Sequence, residues 1–210
     1  LLSQEKFQFY GNNRAYQDVR FKFVNNLIVI PVEINKRELN FILDTGVNKT
    51  IVFNASPKDS ILLLNKKKIK LQGLGSGNPV EAVVSKNNKF RIGNLIGTNQ
   101  KVYIIVKDQF DLSSKMGITI HGVIGYDLLK DVIAFIEYGK KRIRFFNPKT
   151  YKYKKKCKKC EILPLTMFQN KPYVDIKASL SEDNKDIPVR MLVDSGGSDA
   201  LWLFEYSDKN

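Results

Sequence analysis

The chain has 210 residues, of which 43% are hydrophobic and 27% charged, an ordinary balance for a globular protein with a packed core. No apolar run approaches the ~20 residues of a membrane-spanning helix, so no transmembrane segment is predicted. Lys and Arg outnumber Asp and Glu by 35 to 21, and the net charge of +14 would attract anionic surfaces or acidic polypeptides without being a nucleic-acid signature by itself. The sequence begins LLSQ without an initiator Met, which fits either a trimmed chain or a mature chain whose leader has been removed.

The first predicted elements form a hairpin that ends at an aspartate. Residues 1–25 are less regular and are interpreted as an N-terminal extension or an edge strand. Residues 27–34 (LIVIPVEI) predict an apolar strand, and a polar turn, NKRE, separates them from a second apolar strand at residues 39–45 (LNFILDT). Asp44 therefore lies at the end of a strand predicted to be buried. An unpaired charge is costly there, so Asp44 must be hydrogen-bonded, paired or used chemically.

Further strands follow, with one short helix among them. Two strand-like arms flank a glycine-rich tip at residues 73–79, which has no Lys-Ser/Thr after it and so is a hairpin tip, not a phosphate-binding loop. Residues 101–106 and 134–146 also have strand character, and residues 125–132 (GYDLLKDV) are the one good helix candidate. Residues 26–148 are thus predicted to form an all-β lobe with a single short helix.

A lysine-rich connector, residues 149–161, carries both cysteines. Residues 149–160 (KTYKYKKKCKKC) hold seven Lys and no acid, and a run of this kind is usually solvated. Cys157 and Cys160 could form a local disulfide in an oxidising compartment or stay as inert thiols. A zinc site would need two further soft or imidazole ligands, and the chain has a single histidine, so no metal is expected.

The pattern of the first hairpin returns after the connector. Residues 171–180 (KPYVDIKASL) are strand-like, and residues 187–204 rise through apolar residues into Asp194, which Ser and Gly follow as Thr and Gly follow Asp44. One Asp-Thr-Gly tripeptide would be interpreted as an Asx turn, but a repeated supersecondary unit is a stronger signal. Residues 162–210 are therefore predicted to begin a second, similar lobe.

Two repeats related by approximate two-fold symmetry would bring Asp44 and Asp194 together. Like charges at hydrogen-bonding distance do not both ionise readily, so one carboxyl keeps a proton while the other is free. Such a pair can activate a water and polarise a peptide carbonyl, and it needs no cofactor or metal. In each repeat the adjacent hydroxyl can lock the loop, and the glycine lets backbone N–H groups approach the carboxylate. The supporting residues predicted in this way are Thr45, Gly46, Ser195 and Gly196.

The paired Asp-Thr-Gly and Asp-Ser-Gly motifs, together with HGVIGYDLL at residues 121–129, resemble aspartic proteases of the pepsin and retropepsin type. The resemblance implies an all-β aspartic-protease lobe in which the apolar-apolar-Gly motif and its helix lie behind the catalytic loop. It implies that Asp44 and Asp194 are the catalytic pair of an endopeptidase that acts on polypeptides. It also places the flap that covers the substrate at the glycine-rich tip. The flap residues are Gly73, Leu74, Gly75, Ser76 and Gly77.

A closer resemblance is to bacterial extracytoplasmic proteins of aspartyl-protease type. These contain the stretches NLIVIPVEI, FILDTGVNKTIVF, HGVIGYDLL and DALWLF, and they usually continue into a PDZ domain. The resemblance implies a periplasmic or cell-surface location. Only 14 residues follow Gly196, so the second lobe looks cut short beside an ordinary small domain of ~100 residues. In that state Asp44 could face Asp44 of a second copy in a homodimer.

Two other functions are weighed against the protease. A protease-like fold could bind peptides or anionic polymers through its cleft and basic surface without cutting them, since fold alone does not fix activity. Nucleic-acid binding by the lysine-rich run is disfavoured, and no nucleic-acid partner is expected. The single histidine, His121, is interpreted as structural, because no Ser or Cys nucleophile in a recognisable elbow accompanies it. Trp202 and Phe204 are interpreted as core residues.

Overall fold

The computed structural model is mostly β-strand, which confirms the all-β class expected from the sequence. The structure describes residues 5–11, 14–53, 63–71, 80–105, 111–153, 160–179 and 186–202. Within these ranges, none of the helices is both long enough and apolar enough to pass through a bilayer.

The strands and helices have the following bounds. The strands are β1 (Lys6–Phe9), β2 (Tyr16–Arg20), β3 (Lys22–Val24), β4 (Leu27–Ile34), β5 (Arg37–Leu43), β6 (Ile51–Val52), β7 (Lys67–Leu71), β8 (Val80–Ile92), β9 (Leu95–Ile105), β10 (Gly122–Ile124), β11 (Ile133–Glu137), β12 (Arg142–Phe146), β13 (Thr166–Phe168), β14 (Lys171–Ser179) and β15 (Asp186–Leu192). The helices are α1 (Leu112–Met116) and α2 (Tyr126–Leu129), and a 3-10 turn covers Tyr138–Lys140.

The largest sheet carries the first repeat. Its strands lie in the order β1-β9-β6-β10-β5-β4-β8-β7, and β3 pairs with β4. The short strand β10 lies between β5 and β6, parallel to β5 and antiparallel to β6. β10 therefore ends directly beside the loop that leaves β5 at Asp44.

Strand β4 is covered on both faces because alternate side chains of a strand point to opposite sides. Ile28 and Ile30 belong to the larger apolar core of the lobe, whereas Leu27 and Val29 belong to a smaller cluster on the other side. The neighbouring strand β5 divides its side chains in the same way, with Phe41 and Leu43 in the larger core and Ile42 in the smaller cluster. This double covering fixes the end of β5, from which the Asp44 loop begins.

The strands before β4 pack into the same core. β1 forms an edge of the main sheet through its pairing with β9, and β2 pairs with β12 in a second sheet, β11-β12-β2. Phe7 is 2% exposed, and its backbone N–H donates to Asp131 Oδ2 at 2.8 Å, just beyond α2. The first strands therefore support the segment that lies behind the Asp44 loop.

The helical content differs slightly from the sequence prediction. Helix α2 lies inside the predicted helix at residues 125–132. The five-residue helix α1 was not predicted, because so short a segment shows no 3.6-residue periodicity. Its Met116 is buried in the smaller apolar cluster, so tertiary packing stabilises it.

The second repeat forms a three-stranded sheet, β13-β14-β15. It is built like the β3-β4-β5 part of the first repeat. In each repeat, a two-residue turn with positive φ at both positions joins the first strand to the second. Asn25 and Asn26 have φ of 48° and 61°, and Gln169 and Asn170 have φ of 49° and 63°, values that suit a tight hairpin. A long strand, a second hairpin and the Asp-hydroxyl-Gly loop then follow in both, so the repeat in the sequence is a repeat of structure.

Candidate active site

The Asp44 loop is held from behind by β10 and α2. The Asp44 N–H donates to Ile124 O at the end of β10 (2.9 Å), and the Tyr126 N–H donates to Val47 O (3.1 Å). Asp127 in α2 accepts bonds from the buried Thr50 through its backbone N–H (2.8 Å) and its hydroxyl (3.0 Å). The loop thus has fixed contacts at its start, middle and end.

Gly125 makes this close packing possible. A Cβ at this position would collide with the backbone carbonyl of Asp44 and would lie 2.6 Å from Val47 O. Real Cβ atoms do not approach backbone oxygens so closely, so a larger residue would force the Asp44 loop away from β10.

The structure places the carboxyl groups of Asp44 and Asp194 side by side, each against the other's loop. Each carboxylate also accepts a bond from the backbone N–H of the glycine two residues later: Gly46 N–H to Asp44 Oδ1 (2.7 Å) and Gly196 N–H to Asp194 Oδ1 (2.8 Å). Each glycine lies against the opposite aspartate, so a Cβ at Gly46 would be 2.8 Å from Asp194 Cγ and one at Gly196 would overlap the Asp44 carboxyl. The two loops therefore meet face to face with no room for side chains beside the acids.

The hydroxyls of Thr45 and Ser195 connect the two loops through four reciprocal hydrogen bonds. Thr45 Oγ1 accepts from the Ser195 N–H (2.9 Å) and donates to Val193 O (2.5 Å). Ser195 Oγ accepts from the Thr45 N–H (3.1 Å) and donates to Leu43 O (2.9 Å). Donor and acceptor of both hydroxyls are satisfied, which fixes the loops, and hence the aspartates, relative to each other.

Two asparagines outside the Asp-hydroxyl-Gly tripeptides, which the sequence did not reveal, form a second pair of symmetric bonds between the repeats. Asn26 Nδ2 donates to Ser198 O at 3.0 Å, and Asn48 Nδ2 donates to Gln169 O at 3.3 Å. Each asparagine therefore joins its own repeat to the other. The signal in the sequence was weak, because Asn is common in turns for local reasons and its partner lies more than a hundred residues away.

The environments of the two acids differ. Asp44 is partly buried, whereas Asp194 is exposed. Burial is the largest cause that raises the pKa of Asp44 from 3.8 to about 6, followed by the charge of Asp194 and the hydrogen bond to it. The Gly46 N–H and the charge of Lys171 lower it in part. Because Asp44 holds its proton more strongly than an ordinary carboxyl, the pair keeps one proton under mildly acidic conditions.

The other predicted positions have different outcomes. The flap residues 73–77, Cys157 and Phe204 lie outside the described residues, and Cys160 is disulfide-bonded. His121 Nδ1 accepts a hydrogen bond from the Asn40 N–H (3.0 Å), which agrees with its interpretation as a structural residue.

Trp202 is 67% exposed, so the interpretation as a core residue was wrong for it; its Nε1–H donates to Asp199. Among the described residues no group of His, Cys, Asp and Glu could hold a metal ion.

Comparisons with known proteins found one family match and a match among solved structures. Residues 30–128 match the model of a family described as aspartyl protease, and this span contains the Asp44 loop, β10 and α2. No curated protein matches the chain. Among solved structures, a retropepsin-like aspartic protease from Rickettsia conorii matches with 15% identity and a TM-score of 0.44, over 69% of this chain and 96% of that chain. By sequence, the first repeat is thus similar to aspartyl proteases, and Asp194 lies outside the matched span.

Proposed function

We propose that the protein is an aspartic endopeptidase that hydrolyses peptide bonds with a water activated between Asp44 and Asp194. The observation that carries the proposal is the contact of the two carboxyl groups, each with its own glycine N–H and with one acid partly buried and the other exposed. A pair that shares one proton supplies both a general acid and a general base. The family match of residues 30–128 supports the same class.

The chemistry follows from the placement of the proton. Protonated Asp44 transfers its proton to the carbonyl oxygen of the scissile peptide, while the Asp194 carboxylate takes a proton from the water. The water oxygen bonds to the carbonyl carbon and gives a tetrahedral intermediate. The C–N bond then breaks as the proton from Asp194 passes to the leaving nitrogen, and Asp44 recovers its own. The two acids share one proton, so the roles belong to the pair.

The rest of the site prearranges the pair. The reciprocal bonds of Thr45 and Ser195 hold the loops at one separation, so little reorganisation is needed when a substrate binds. The proposal needs only one chain, because Asp194 occupies the place opposite Asp44.

The substrate is a polypeptide, which we propose to be covered by the flap residues 73–77. We further propose a location outside the cytoplasm, because disulfide bonds such as that of Cys160 persist in oxidising compartments.

The dependence of cleavage on pH tests the proposal. A mixed peptide pool is incubated with the protein from about pH 3 to about pH 8, and initial rates are measured by mass spectrometry. The rate should fall above a pH of about 6, because Asp44 then loses the single proton of the pair. A statine-type inhibitor, whose hydroxyl takes the place of the water, should block cleavage. Undiminished cleavage well above that pH, insensitive to the inhibitor, would assign the activity to other groups. Absence of cleavage at every pH would favour the peptide-binding alternative.

A methyl group beside the pair should damage the site in a position-dependent way. Gly196→Ala is expected to lower kcat/KM by about 10²-fold, because its Cβ overlaps the Asp44 carboxyl and displaces it on the scale of an ångström. Gly197→Ala is the matched control, since its Cβ would meet only Asp194 O at 3.8 Å, an ordinary contact. Steady-state kinetics on both variants, with thermal unfolding to show that they are folded, checks the difference. Equal activities would mean that the close approach has no role.

A further inference from the structure

The second repeat contains a buried lysine that the mechanism does not use. Lys171, the first residue of β14, is 7% exposed and is the one charged side chain among the buried residues that the structure describes. In the described part of the chain it forms neither an ion pair within 4 Å nor a side-chain hydrogen bond. Burying an ammonium group is costly unless a negative charge compensates it. A compensating charge should therefore lie close by.

The equivalent position of the first repeat carries no charge. Lys171 follows the turn at Gln169 and Asn170, as Leu27 follows the turn at Asn25 and Asn26. Leu27 is 8% exposed and packs in an apolar cluster. The same structural position thus holds an apolar side chain in one repeat and an ammonium group in the other.

The backbone on either side of Lys171 is bonded to both aspartate loops. Gln169 O, two residues before it, accepts the bond from Asn48 of the Asp44 loop (3.3 Å). Pro172 O, the next residue, accepts from the N–H of Val193, directly before Asp194 (2.9 Å). Lys171 therefore lies between the two loops, on the side where the repeats meet.

We propose that Lys171 is a positioning residue of the aspartate pair, whose ammonium charge favours the ionised forms of the pair and keeps its working range acidic. The charged groups that act on Asp44 are Asp194 on the opposite loop, which raises its pKa, and Lys171 on β14, which lowers it. The consequence for catalysis rests on the proposed peptidase function. The electrostatic effect on the pair does not.

The test compares a neutral variant with a charge-conserving one. Lys171→Met is expected to shift the titration of the Asp44 carboxyl upward by about half a pH unit, as one lost charge at close range would. Lys171→Arg should keep the titration near its original pH. Lys177→Met is the matched control, because Lys177 is exposed on the same strand about 20 Å further along. The measurement is ¹³C NMR of the aspartate carboxyl carbons as a function of pH, with the basic limb of kcat/KM as a second readout.

The outcomes separate this inference from the proposed function, because the NMR titration needs no turnover. An upward shift in Lys171→Met but in neither of the other variants supports the inference even if no peptide is cut. A titration of Lys171→Met identical to that of the parent overturns it even if cleavage is efficient. A shift of the same size in Lys171→Arg overturns it too, since a structural effect would then be the cause. Lys171→Gln, a second neutral variant, gives the same decision should the methionine variant not fold.

Discussion

Replacing Asp44 by asparagine is expected to lower kcat/KM for peptide cleavage by about 10³-fold, and Asp194→Asn should do the same, because proton transfer by a positioned side chain contributes on that scale. Asparagine has nearly the shape of aspartate, and its Oδ1 can still accept the bond that Gly46 or Gly196 donates to the carboxylate. It can neither give nor take a proton at the pH of the reaction. The loss is therefore a loss of chemistry with the site geometry largely retained.

The control for these variants is Asp175→Asn. Asp175 lies on β14, is exposed, and forms a two-pronged ion pair with Arg190 on β15, away from the aspartate pair. Its replacement should leave cleavage unchanged. The decisive measurement is the initial rate of cleavage of one defined peptide by the parent and the three variants, taken from the linear start of each progress curve. Equal rates in all four proteins would exclude the proposed catalytic pair.

The same Asp44→Asn change is expected to stabilise the fold above neutral pH. The folded-state pKa of Asp44 is raised from 3.8 to about 6, so the folded protein binds this proton more tightly than the unfolded chain does. Stability is then present in full below the unfolded pKa and falls as the pH rises through about 6. The corresponding cost at higher pH is about 3 kcal/mol, and asparagine, which does not ionise, avoids it.

Urea unfolding at several pH values measures this effect. Asp44→Asn should match the parent in free energy of unfolding near pH ~4 and exceed it by about 3 kcal/mol near pH ~7. Asp175→Asn should show no gain at any pH, because the Arg190 partner lowers the pKa of Asp175 and its ionised form therefore favours folding. A pH-independent difference between Asp44→Asn and the parent would show that burial and the neighbouring charge do not perturb Asp44.

Catalytic activity and folding stability at neutral pH make opposite demands on Asp44. The burial that costs stability at neutral pH is the burial that keeps a proton on Asp44. Active sites commonly hold such unfavourable arrangements, because the surrounding structure enforces them. Here the enforcing contacts are the reciprocal bonds of Thr45 and Ser195 and the packing of β10 behind Asp44.

Strong local patterns allowed the strands near the site to be predicted. The apolar run at residues 27–34 has the same bounds as β4, because a strand whose first half is buried on both faces is apolar over most of its length. The next strand was placed at residues 39–45, whereas β5 covers Arg37–Leu43. The turn uses only Asn35 and Lys36, both with positive φ, and the polar residues that follow already belong to the strand. Polar residues on exposed strand positions look like turn residues in a sequence.

The all-β character, the two hairpins and the pair of Asp-hydroxyl-Gly loops could be inferred from the sequence, because these depend on residue types within short stretches. Contacts made on folding set the rest: Asp44 is partly buried and Asp194 exposed, two asparagines join the repeats, and Lys171 lies between the loops. Such properties depend on contacts between residues about 150 positions apart and on the water excluded around them. A residue's neighbours along the chain do not fix its dielectric environment; the packing of distant strands does.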